Sequence, residues 1–169
     1  MARQDYLIAL GSNMRHALYG SPRALIAAAL KALDNATCQV VSVSRVIETP
    51  PLGPSRRRYA NAAAIVRTYR EPDAMLRKLQ AIEHRFGRRR TGKAWSARTL
   101  DLDIVLWSGG AWAHDDGESS LVIPHPFFRE RAFVLGPAAT IAGRWRDPLS
   151  GLTVRHLSAR LTKPLPAPR

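Results

Sequence analysis

The segment Thr99-Leu100-Asp101-Leu102-Asp103-Ile104-Val105-Leu106 constrains this chain more than any other. An apolar run of this kind reads as a buried strand, yet it carries two acids two residues apart. On a strand such residues leave the same face, so Asp101 and Asp103 point together. Leu100, Leu102, Ile104 and Leu106 are expected to pack a core on the other face. Roughly 7 Å apart by the rise per residue, the carboxylates repel each other and resist burial without a cation. Mg2+ supplies that charge with the oxygen preference carboxylates satisfy, and a pair of such ions would bind a polyphosphate. Just upstream, Arg98 adds a fixed charge for phosphate oxygens. The alternative is an edge strand whose acids merely meet solvent. The neighbourhood favours chemistry: residues 87–95 read Gly-Arg-Arg-Arg-Thr-Gly-Lys-Ala-Trp, dense in phosphate-binding groups.

Charge agrees with that reading. Lys and Arg number 26 against 13 acids, and a net charge of +13 calls for an anionic partner. Two Arg clusters, at 56–58 and 88–90, fall in Gly- or Pro-bearing loops, which suits local phosphate capture better than a long nucleic-acid track. With 169 residues the chain suits one domain, expected over 1–162, followed by a loose tail at 163–169 with three prolines. A single cysteine, Cys38, excludes an intrachain disulfide and is expected in the core of a protein kept reduced. No secretory signal and no membrane-spanning segment are expected, hence a soluble cytoplasmic protein.

Periodicity predicts a strand over 5–10, broken by Gly11-Ser12-Asn13, where a tight turn is the commoner meaning than an anion cradle. A helix follows, started by Ser21-Pro22, with Leu25, Ile26, Ala29, Leu30 and Leu33 on one stripe. Residues 38–47 read as one strand and 48–54, with three prolines and a glycine, as a shaped loop. Over 59–67 the alanines separate helix from strand poorly; pairing with the preceding strand favours strand. The clearest helix spans 72–86, with Met75, Leu76, Leu79, Ile82 and Phe86 on one side. The Asp-x-Asp strand then runs to 107, a Gly/Asp-rich connection fills 108–120, and short helices are expected over 134–142 and 154–161. The order β-α-β-β-α-β predicts a ferredoxin-like α+β sandwich, an antiparallel sheet covered by helices, with extra C-terminal elements.

Single motifs carry less. Gly87-x4-Gly92-Lys93 imitates a P-loop, but Ala94 stands where a hydroxyl should bind Mg2+, and the segment follows a helix where a strand is required. Trp95 is either an anchor or a stacking plate for a flat ring. Tyr59 and Asn61 share a strand face, and Asn61 offers a donor and an acceptor to a heterocycle edge. His125, between Pro124 and Pro126, sits on a rigid turn; no ligand spacing supports zinc.

Taken in order, these residues resemble the 6-hydroxymethyl-7,8-dihydropterin pyrophosphokinase family of folate biosynthesis. The resemblance rests on Ile8-Ala-Leu-Gly-Ser-Asn13, Glu48-Thr-Pro-Pro-Leu-Gly-Pro54, Tyr59-Ala-Asn-Ala-Ala63, Gln80-x-x-Glu83, Gly87-Arg88, Trp95-x-x-Arg98-Thr-Leu-Asp-Leu-Asp103, Pro124-His125 and Arg131-x-Phe133. It implies Mg2+-dependent transfer of pyrophosphate from ATP to the pterin's hydroxymethyl oxygen, releasing AMP. Asp101 and Asp103 would hold two Mg2+ ions, and Arg88 and Arg98 would steady phosphate charge. Gln80, Glu83, Arg90, Trp95, Arg98, Ile104, His125 and Arg131 would face ATP. Thr49, Pro50, Leu52, Tyr59, Asn61, Trp95 and Phe133 would form the pterin pocket, the ring lying between Trp95 and Phe133. Ser96-Ala97, Pro126, Ser120 and Thr91 depart from the family's usual residues on the nucleotide side.

Two other readings stay open. One is a paralogue acting on, or only binding, a related pterin. The other is a basic ferredoxin-like module that holds RNA, for which the central strands offer only Tyr6 and Trp107 as stacking surfaces beside two acids that repel phosphate. The pyrophosphokinase reading expects ATP and the pterin as partners, no nucleic acid, no membrane, and a monomer.

Overall fold

The computed structural model describes residues 2–50, 57–87, 99–115, 117 and 120–163. Strands β1 (Gln4–Ser12), β2 (Cys38–Val43), β3 (Ile47–Thr49), β4 (Tyr59–Thr68) and β5 (Asp101–Trp107) form a five-stranded sheet. Its order is β2-β4-β1-β5, with β3 also on β4, and every pairing is antiparallel. Helices α1 (Pro22–Leu33) and α2 (Pro72–Arg85) cover one face; α3 (Ala132–Ala142) and α4 (Val154–Thr162) cover the other. A separate hairpin pairs β6 (Trp112–Asp115) with β7 (Ser120–Ile123). The chain is thus a mixed α/β structure built on an antiparallel sheet.

Strand alternation makes two cores. Tyr6, Ile8 and Leu10 of β1, Ala62, Ala64 and Val66 of β4, and Leu102 and Ile104 of β5 pack under Leu25, Ile26, Met75 and Leu79. Leu7, Ala63 and Ile65 point the other way, to Val134, Leu135 and Val154. The predicted helices form where capping and stripe required them: the Ser21 hydroxyl accepts the Ala24 N–H at 3.3 Å, and Leu25, Ile26, Ala29 and Leu33 are buried. Cys38 is buried as expected.

Five expectations need correction. Leu106 leaves the face of Leu102 and Ile104, because the β1–β5 register shifts: Ile8 opposes Ile104 but Leu7 opposes Leu106. Val105 is the extra residue of that bulge, and it turns Leu106 into the α3–α4 core. Gly11 and Ser12 do not break the first strand; they continue β1 against β4 and β5. The single strand expected over 38–47 is interrupted at Ser44, whose hydroxyl accepts the Ala63 N–H at 2.9 Å while its own N–H reaches the Ala63 carbonyl. Pairing resumes at Ile47, so Glu48 and Thr49 lie in a strand where a loop was expected. The connection over 108–120 contains the first half of a hairpin, anchored by the Trp112 Nε1–H and the His114 ring on Asp73 of α2 at 3.3 and 2.9 Å. Residues 164–169 of the expected tail lie outside the described residues.

Candidate active site

Where β5 begins, cross-strand neighbours share a face and form rows. One row runs Ile47, Asn61, Gly11, Asp101; the next runs Ala63, Ala9, Asp103. Both acids therefore project on the α3 side of the sheet, half-exposed, beside residues with little or no side chain. A Cβ at Gly11 would stand 3.3 Å from Asn61 Oδ1, so glycine here leaves room for Asn61 against the row. Asn61 is buried and its Nδ2 donates to Thr49 Oγ1 at 2.8 Å, which fixes the amide plane. Tyr59, half-buried and opposite Thr49, belongs to the same face.

Two side chains secure the start of β5. The buried Ser12 hydroxyl donates to the Thr99 carbonyl at 2.6 Å. Glu83, only 5% exposed, accepts the Leu102 N–H on Oε1 at 2.7 Å. That amide lies between the two acids in sequence, so α2 holds the strand from which both project. Gln80, one turn back, is half-exposed. Ile104 packs its side chain into the α1–α2 core, which leaves its backbone as the part a ligand can reach.

The bulge serves the site as well. The Val105 carbonyl accepts the His125 N–H at 3.0 Å, docking the turn after β7 against the outer edge of β5. His125 Nδ1 accepts the Phe127 N–H at 3.2 Å. Burial and the nearby Arg131 charge push the His125 ring below its ordinary value, while Asp101 pulls the other way. His125 thus lies within the fields of both Asp101 and Arg131. The Arg131 guanidinium lies 5.5 Å from the Phe127 centroid and 5.9 Å from that of Phe133. Phe133 is half-buried against the α3–α4 core, and Phe127 is exposed.

Among the expected site residues, Thr49, Tyr59, Asn61, Asp101 and Asp103 gather on one sheet face, and Glu83, His125 and Arg131 surround its β5 edge. Pro50 is exposed at the end of β3. Leu52, Arg88, Arg90, Trp95 and Arg98 lie outside the described residues. Gly87 follows Phe86, the C-cap of α2, with φ +86°, in keeping with the rejection of a P-loop there. Sequence reasoning missed Gly11 and the alanines Ala9 and Ala63 as the floor of the site, and Ser12 as the tie that holds the start of β5. Their signal was present as a run of small residues on two strands, which reads as packing until the strands are paired.

Among the described residues no three or more His, Cys, Asp or Glu side chains gather as a metal site. Two half-exposed carboxylates on one face, in front of glycine and alanine, fit a hard cation that completes its shell with water and phosphate oxygens.

Comparison with known proteins agrees with this geometry. The family model for 7,8-dihydro-6-hydroxymethylpterin-pyrophosphokinase matches residues 7–143. A 2-amino-4-hydroxy-6-hydroxymethyldihydropteridine pyrophosphokinase of Pseudomonas aeruginosa is 38% identical over 152 residues, covering 86% of this chain and 85% of that one. Its counterpart in Synechocystis is 35% identical over 151 residues, 89% of this chain and 73% of the relative. The crystal structure of a Plasmodium falciparum HPPK-DHPS triple mutant shares the fold, with a TM-score of 0.73 at 13% identity; it matches 94% of this chain, which spans 44% of that one. A family match over most of the chain, with close relatives covered along most of their length, leaves one conclusion: the chain belongs to the 7,8-dihydro-6-hydroxymethylpterin-pyrophosphokinase family.

Proposed function

We propose that this diphosphotransferase of folate biosynthesis works at the rim formed by Asp101, Asp103, Asn61 and the 125–131 segment. It would transfer pyrophosphate from ATP to the hydroxymethyl oxygen of 6-hydroxymethyl-7,8-dihydropterin. The observation that carries the reading is the row Asn61–Gly11–Asp101. Two strand spacings put a group suited to a heterocycle and a group suited to a cation about 10 Å apart on one face, with a residue lacking a side chain between them. A transfer between two substrates needs that adjacency.

In this reaction the pterin oxygen attacks the β-phosphorus, the bond from that phosphorus to the α–β bridging oxygen breaks, AMP leaves with that oxygen, and the hydroxyl proton is released. Asp101 and Asp103 would hold two Mg2+ ions, which when bound supply charge to offset that of the triphosphate. Asn61, fixed by Thr49, would orient the pterin edge, and Tyr59, Pro50 and Leu52 would contribute to binding it. Phe133 and Trp95 would enclose the ring. Arg88 and Arg98 would carry charge on the transferred group, which such reactions need more than a covalent protein intermediate. Gln80, Arg90, Trp95, Arg98, the Ile104 backbone, His125 and Arg131 would contact ATP. Glu83 would act from beneath, through the strand it holds.

The strand order β2-β4-β1-β5, with α1 after β1 and α2 after β4, supports the ferredoxin-like βαββαβ description, to which the hairpin, α3 and α4 are additions. A single domain over 1–162, a monomer and a cytoplasmic location complete the proposal. Among the described residues no helix is long and apolar enough to cross a membrane. The RNA-binding alternative loses support from Tyr6, which is fully buried and stacked on Trp107 at 6.4 Å, so it offers no face to a base.

The test is pterin-dependent release of AMP from ATP and Mg2+, repeated with Asp101→Asn and Asp103→Asn. Each substitution is expected to lower the rate by about 10²-fold or more. No AMP from the parent protein would favour the binding paralogue, and full activity in both variants would overturn the metal assignment.

A further inference from the structure

We propose that the ion pair between half-buried Arg129 and buried Asp147 is a positioning device that sets affinity for the nucleotide through Arg131. Asp147 is fully buried in the turn between α3 and α4. Its carboxylate receives Arg129 as a fork, Nε to Oδ2 at 2.8 Å and Nη2 to Oδ1 at 2.6 Å. The Ser150 hydroxyl and the Leu149 N–H fill the remaining acceptor positions at 2.5 and 3.1 Å. The Arg129 guanidinium also lies 4.7 Å from the centroid of the buried Phe128 ring. It is fixed in direction by the fork and in plane by the ring.

Arg129 occupies the middle of the 3-10 turn Phe128–Glu130, which has no side-chain cap. This turn joins His125, docked on Val105, to Arg131 at the start of α3. One turn of 3-10 helix is a weak element by itself. The orientation of Arg131 therefore depends on what grips the turn from outside, and the fork is the polar tie that does so. The other end of the tie is firm: the Asp147 N–H reaches the Leu152 carbonyl, and the Val154 N–H the Trp145 carbonyl, locking the α3–α4 turn. An ion pair on a buried carboxylate is a poor way to gain stability compared with apolar packing, but a bidentate one fixes geometry. The proposal rests on the reading that Arg131 faces ATP.

The experiment measures binding of α,β-methylene-ATP with Mg2+, and the KM values of both substrates, in Arg129→Lys, Asp147→Asn and Arg131→Ala. A double variant joins Arg129→Lys to Arg131→Ala. Arg129→Lys keeps the charge but loses the fork, and it serves if Asp147→Asn fails to fold. Arg129→Lys is expected to weaken nucleotide binding three- to tenfold, with kcat and the pterin KM within twofold. In the double variant the effect of Arg129→Lys should vanish, because its route through Arg131 is gone. Unchanged nucleotide affinity in folded Arg129→Lys, equal losses for both substrates, or full additivity with Arg131→Ala would overturn the proposal. An Arg131→Ala protein that binds the nucleotide normally would instead refute the assignment of Arg131 itself.

Discussion

Gly11 stands directly opposite Asn61 in the β1–β4 ladder, and a methyl group at position 11 would lie 3.3 Å from the Asn61 side-chain oxygen. That contact is tighter than ordinary packing, and Asn61 is already tied to Thr49 on its other side. Gly11→Ala is expected to raise the pterin KM about tenfold, on the order of 1.4 kcal/mol, with the ATP KM little changed. Steady-state kinetics with each substrate varied in turn checks the split.

Glu83 places a carboxylate under the Asp-x-Asp strand, and its Oε1 is an acceptor for the Leu102 N–H. Glu83→Leu leaves that amide without this acceptor. The expected cost is about 2 kcal/mol of folding stability, read as a lower urea midpoint. Activity should fall further than stability alone explains, because both acids ride on the loosened strand.

Burial alone would raise the Asp147 carboxyl, but its bonds from Arg129, Ser150 and the Leu149 N–H bring it down to about 2. The unfolded chain takes up this proton near 3.8, so the stabilisation is complete above that pH and is lost between there and about 2. The shift corresponds to about 2 kcal/mol. In urea unfolding, the stability gap between parent and Asp147→Asn should be constant above pH 5 and shrink by roughly that amount on descending to pH 2.

For His125 the direction is opposite in charge. Burial first, and then Arg131, disfavour its protonated form, so its titration midpoint should lie below the ordinary 6.5. The unfolded chain binds that proton first as pH falls, and this site's contribution to folding declines from about 6.5 downward. NMR titration of the metal-free protein should show the low midpoint. Arg131→Ala should move it upward by removing a neighbouring positive charge.

Much of this structure was legible in the sequence, and the parts that were not have a common cause. Alternation around Asp101 and Asp103 revealed both their shared face and the Leu102–Ile104 core, because a period of two is a local property. The helices were legible for the same reason. The bulge at Val105 was not, since Ile-Val-Leu satisfies either face and only pairing with Leu7 and Ile8 decides. Ser44 reads as one more alternating polar residue; its capture of the Ala63 amide depends on a strand further along the chain. The hairpin over 112–123 was hidden because Trp112 and His114 find their partner on Asp73, far upstream. Within the candidate site, motif order pointed to the acids and Asn61, whereas Gly11 and Ser12 acquired structural meaning from their cross-strand and cross-loop partners.

One extra residue, Val105, divides β5 into two halves with different allegiances. Upstream, the side chains opposite the acids answer to α1 and α2; downstream, Leu106 answers to α3 and α4. Repacking the far layer can therefore proceed without rotating Asp101 or Asp103, and the carbonyl freed by the kink is the one that seats His125. Deleting Val105 would merge the halves into one continuous pleat. It would force a choice between keeping the acids aimed and keeping the lower layer filled.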